Sequence, residues 1–104
     1  SDIQTIHVTP ERKSPEELKA IQARLARLAQ KHYQDGLASL TANSLTEADA
    51  HFKKAISFDP TRAEYHVKLA KTREKTGQLD SAKLYYLRAY ALNQDYEKII
   101  NKYP

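Results

Sequence analysis

The sequence predicts an all-α protein built from antiparallel helical hairpins stacked side by side. Three observations carry that prediction. Glycine occurs twice and proline four times in 104 residues, too few for the tight turns of an all-β fold. Apolar residues recur at steps of three and four behind helix-start signals. The sequence also matches itself at an offset of 34 residues, which points to a repeat array.

Residues 1–14 stand apart from the rest. Gln4 to Val8 alternates weakly and is β-branched, and Pro10 stops any regular element. This stretch reads as an extended tail or linker, with a strand added to a neighbouring sheet edge as the alternative. The helical domain is expected over 15–104. Ser14 is an N-cap, Pro15 fits the first helical position, and Glu17 completes a capping box. Leu18, Ile21, Leu25 and Leu28, followed by Ala29, Tyr33, Leu37 and Leu40, form one stripe. One helix from 15 to about 42 follows, roughly 40 Å long. Its first four apolar residues also form an a/d seam, packed on the repeats or used for self-association.

Asn43-Ser44 breaks the chain. Thr46 is expected to cap a second helix that carries Ala48, Phe52, Ala55 and Ile56 and ends at Asp59-Pro60. Thr61, with Glu64 three residues on, should open a third helix that Thr76-Gly77 ends. Asp80 should cap a fourth, with Ala82, Tyr86, Ala89 and Leu92 on one stripe. Asn93-Gln94-Asp95 breaks it again, and a short capping helix is expected over about 96–103. Connections this short make successive helices antiparallel neighbours.

The 34-residue offset pairs His32 with His66, Leu45 with Leu79, Ala48 with Ala82 and Ala55 with Ala89. It also pairs Phe52 with Tyr86, Lys54 with Arg88, Thr46 with Asp80, and Asn43 with Gly77. This pattern resembles the tetratricopeptide repeat, a helix–turn–helix unit of that length, with units at about 29–62 and 63–96. Small residues at 48, 55, 82 and 89 let helices approach closely, and the aromatics at 52 and 86 fill the space between them. Departures are His32 and His66 in the slot usually held by Trp, Asp35 where Leu is common, and Gln94 in place of the closing proline that Pro60 supplies.

The resemblance implies a protein–protein interaction module, an adaptor or assembly domain of a larger protein, that binds a peptide or helix on a concave face made by the first helix of each unit. Carried over by slot, that face holds Gln30, Tyr33, Leu37 and Thr41, then Glu64, Val67, Lys68, Lys71, Glu74 and Lys75. The two-carboxylate clamp of chaperone-binding members is absent, because its slots hold Tyr33, Leu37 and Lys68. The expected partner is another protein, with an acidic segment suiting the lysines and a homodimer as the alternative.

Hydrophobic residues make up 40% and charged residues 29%, and 17 basic against 13 acidic residues give +4. No run approaches ~18 apolar residues, so no membrane span is expected. A soluble and cytoplasmic setting fits better than a periplasmic one, and a start without Met suggests a piece of a longer protein. Cysteine is absent, which removes disulfides, thiolate nucleophiles and Cys-type metal sites. With two glycines, no G-x-S-x-G and no phosphate loop, neither a catalytic residue nor a cofactor is expected, and the chain does not read as an enzyme. Glu16-Glu17 belongs to the helix N-terminus. The histidines lack the i, i+4 spacing of a helical metal site, so His32 and His66 are expected to pack and no metal is expected. The basic residues are spread over several helices, and nucleic-acid binding is a remote alternative.

Overall fold

The computed structural model describes residues 12–102. The expected tail falls almost wholly outside them. The described residues form five helices: α1 (Pro15–Thr41), α2 (Leu45–Phe58), α3 (Ala63–Lys75), α4 (Leu79–Leu92) and α5 (Glu97–Ile100), the last preceded by a 3-10 turn over Gln94–Tyr96. No strand occurs among them. The fold is a row of stacked helical hairpins.

The start of α1 is the expected capping box. The Glu17 N–H donates to the Ser14 hydroxyl at 3.1 Å, and the Ser14 N–H donates to the Glu17 carboxylate at 2.9 Å. Its end and that of α3 share one device. Asn43, at φ +60, and Gly77, at φ +79, take the left-handed conformation. The following N–H groups, of Ser44 and Gln78, reach back to Ser39 O and Arg73 O at 2.8 Å each. These Schellman turns use up the carbonyls that the helix end leaves open.

The turns also correct the expected caps. Each returns the chain so directly that α2 starts at Leu45 and α4 at Leu79, with Ser44 and Gln78 in the cap position and no side-chain cap bond. Thr46 and Asp80 therefore fall inside their helices. Thr61 caps nothing either, because its N–H and hydroxyl both donate to Asp59 Oδ1, at 3.1 and 2.6 Å, and Arg62 precedes α3. The terminal helix is shorter than expected, a 3-10 turn and four α-helical residues.

Two core clusters follow the two units. In the first, Ala29, Tyr33, Ala48, Phe52 and Ala55 from α1 and α2 are closed by Tyr65 and Leu69 of α3. In the second, Val67, Ala70, Ala82, Tyr86 and Ala89 are covered by Tyr96, Ile99 and Ile100. Each hairpin is thus completed by the helix that follows it, and α5 plays for α4 the part that α3 plays for α2. Ala48, Ala55, Ala82 and Ala89 are fully buried, as small contact residues should be.

The first half of α1 departs from the simplest expectation. α2 has 14 residues against 27 in α1, and running back antiparallel it reaches only about as far as Ala29, the first buried residue of α1. Beyond that point Leu18, Ile21 and Leu25 stay 49%, 39% and 37% exposed. The stripe is therefore not sealed by its own repeats.

Candidate functional site

α3 lies between the two clusters, so most of its surface is used for packing. Tyr65, His66, Val67, Leu69, Ala70 and Thr72 are all buried. The line left open runs through Glu64, Lys68, Lys71 and Lys75, successive neighbours on one helix face. Among the described residues no ion pair engages the three lysines, while Glu64 meets the exposed Arg62 at 3.6 Å. The corresponding line on α1, 34 residues earlier, is Gln30, Gln34, Leu37 and Thr41. The two helices are joined across the gap where the Tyr65 hydroxyl donates to Gln30 Oε1 at 3.0 Å. Leu37 is half-buried against the first core, and the Thr41 hydroxyl is turned back to Leu37 O at 3.0 Å.

Three residues expected on this face have other work. Tyr33 is only 8% exposed, its ring 4.8 Å from Tyr65 and 5.8 Å from Phe52. Burial, and then the charge of Glu64, push its hydroxyl above its usual range. Val67, 34 residues later, is buried in the second core. The Glu74 carboxylate accepts from the Tyr86 hydroxyl at 2.6 Å, tying α3 to α4. Gln34 was missed, although the offset that pairs it with Lys68 is readable from the sequence alone.

The sequence model described as tetratricopeptide repeat matches residues 63–96, which are α3, the Schellman turn at Gly77, α4 and the turn after it. Residues 63–96 are a tetratricopeptide repeat. No curated protein matches the chain at a significant level. The repeat is closed on its inner side by Arg73. Its guanidinium donates to both Asp49 oxygens, at 2.8 and 3.1 Å, and to the Ser81 hydroxyl at 2.7 Å. It also lies 5.4 Å from the centre of the Tyr85 ring. One side chain thus holds α2, α3 and α4, and the Asp49 bond raises its already high pKa.

An open groove of about 610 Å³ lies beside this pair, on the α2 side, lined by Thr46, Asp49, Lys53, Ser57 and Arg73 among others. Its Asp49 and Arg73 already satisfy one another, while Lys53 and Lys54 also line it. The open line on α3 lies within the matched repeat, and we take it as the candidate site.

His32 and His66 both pack, as expected, but His32 also meets a second histidine. His66 is buried, with Nε2 donating to Pro60 O at 2.9 Å, and it stacks on Tyr85 of the repeat at 6.0 Å between ring centres. That is the packing role expected of it. His32 also faces His51, with the two Nδ1 atoms 3.3 Å apart, and ligand atoms of His32, His51 and Asp35 all lie within 4.8 Å of one another. Spacing along one helix could not show this, because the second histidine comes from α2.

Proposed function

We propose that the chain is a protein–protein interaction module in which residues 29–62 form a second, divergent unit of the same family and the open lines of α1 and α3 receive one partner segment. A tetratricopeptide repeat supports protein–protein interaction as the general role. The observation that carries the finer reading is the exposure pattern of α3. With six of its residues buried, a partner reaching this helix meets Lys68, Lys71 and Lys75. Three ammonium groups along one line, without an ion pair among the described residues, favour an acidic segment and speed its approach. Leu37 adds an apolar edge beside them.

A test is selection of binders from a peptide library against the whole chain, followed by mapping on labelled protein. Selected peptides should be rich in Asp and Glu and should shift the resonances of α3. Lys71→Glu with Lys75→Glu should slow association and flatten its salt dependence, while Lys53→Glu on α2 should change little. Binders that respond to Lys53→Glu and ignore the α3 pair would place the interface in the groove of α2 and sink this reading.

A second reading, self-association, is favoured by one observation, the exposed Leu18, Ile21 and Leu25 on the projecting half of α1. Two copies of that half, paired along the seam, would bury three large side chains each. Light scattering over a range of concentrations separates this from a monomer.

A further inference from the structure

We infer that His32, His51 and Asp35 form a binding site for a divalent transition-metal ion of the zinc class, clasping α1 to α2. The two Nδ1 atoms are 3.3 Å apart. Zn–N bonds of about 2.0–2.1 Å in a tetrahedron separate two ligand nitrogens by roughly 3.3 Å, so both rings already stand at the separation an ion between them would require. The same distance also suits a hydrogen bond from one ring to the other, and that contact holds the nitrogens turned toward each other.

Asp35 supplies the third donor. One of its oxygens lies within 4.8 Å of a ring nitrogen of each histidine, and among the described residues its ion pair is a loose one to Lys31 at 3.9 Å, on a side chain 45% exposed. A carboxylate so weakly held can swing onto an ion. Helix geometry favours this, since residues 32 and 35 are one turn apart on α1. Two imidazoles and one carboxylate suit zinc, cobalt and nickel ions and leave a fourth position for water.

Proton competition is reduced at this site. Burial first, then the charge of His51 and of Lys31 and Lys54, hold the His32 imidazole below its usual value of 6.5, with Asp35 acting in the opposite direction. A ligand must shed its proton to bind an ion, so this direction favours the metal. The two lysines also oppose a cation, which sets the affinity well below that of four-ligand structural sites.

The second unit provides an internal contrast. At the positions 34 residues on stand His66, Tyr85 and Leu69. There the two rings stack as packing residues and the carboxylate is replaced by a buried apolar side chain. The first unit keeps the stacking, with His32 5.6 Å from His51 and 5.6 Å from Phe58, and replaces the non-ligating members with donors.

The test is titration of the whole chain, first stripped with a chelator, using zinc chloride and then cobalt chloride at neutral pH. One equivalent should bind saturably, the melting temperature should rise with zinc concentration, and cobalt should give the intense visible bands of tetrahedral coordination. His51→Phe, which keeps a ring where the second unit has Tyr85, should weaken zinc binding at least tenfold, as should Asp35→Asn. On the unaltered chain, the imidazole nitrogen signals of His32 and His51 should shift with zinc while those of His7 and His66 stay. The proposal is overturned by three results: no saturable binding up to millimolar zinc, shifts confined to His7 or His66, or full affinity in a folded His51→Phe chain.

Discussion

Gly36 and Gly77 are both needed, for opposite reasons. Gly36 lies within α1, and a Cβ built on it would stand 2.6 to 3.1 Å from three atoms of the Phe52 ring. That ring is fully buried and cannot swing away freely. Gly36→Ala gains about 1 kcal/mol of helix propensity but overpacks the contact, at a cost of about 1–3 kcal/mol. Net destabilisation of about 1 kcal/mol is expected, and it should shrink when Phe52→Leu is added. Gly77 has nothing within 4 Å of its Cβ position but sits at φ +79. Gly77→Ala should cost about 1 kcal/mol for backbone reasons alone and be indifferent to Phe52→Leu. Urea midpoints of the three single and two double variants check both. A stabilised Gly36→Ala chain would show that α1 and α2 do not approach this closely.

At the scale of the element, α1 shows how a helix end is set by local chemistry and its middle by packing. The Ser14–Glu17 box lowers the Glu17 carboxyl below its usual value of 4.5, through the Ser14 backbone bond first and the side-chain bond second. The folded state therefore holds this proton less tightly than the unfolded one. The resulting stabilisation is present above pH 4.5 and is lost as pH falls through the lowered value. Glu17→Gln should reduce helicity slightly at pH 7, and the gap from the parent should close by pH 3. Circular dichroism melts at the two pH values measure it. A gap that stays constant with pH would mean that the charge of Glu17 does not matter. The α2 and α4 starts have no such bond and form because Ala48 and Phe52, or Ala82 and Tyr86, have a core to enter.

At the scale of the whole molecule, α1 is nearly twice as long as the helix it pairs with, and the consequence is an uncovered seam. Burial of Leu18, Ile21 and Leu25 between two copies would remove each from water, worth roughly 1–2 kcal/mol per side chain given their partial exposure. The whole chain is expected to show a concentration-dependent mass in light scattering. Leu18→Lys with Leu25→Lys should return it to a monomer of unchanged helicity. A chain beginning at Ala29 should do the same and still fold, because Ala29 is the first buried residue of α1. A single monomeric species of the whole chain at high concentration would remove the idea.

The sequence by itself determined the helices, their order and the 34-residue unit. Helix periodicity, the Ser14–Glu17 box, Asn43 and Gly77 act within a turn or two of the chain, so a linear reading captures them. It misjudged Thr46, Thr61 and Asp80, because a good capping residue caps only where the turn before it leaves the cap position to it. The candidate site was legible in part. Lys68, Lys71 and Lys75 share the line of α3 that packing leaves open, a pattern a linear reading can place because helix spacing survives folding. Tyr33 and Val67 were placed on the same face because slot-matching cannot tell a side chain aimed at the groove from one aimed just beneath it. The facing of His32 and His51 was decided only in three dimensions. Those residues are 19 positions apart on different helices, and no pattern on either helix encodes their meeting. It depends on how α1 and α2 pack, which the small residues and Phe52 decide between them.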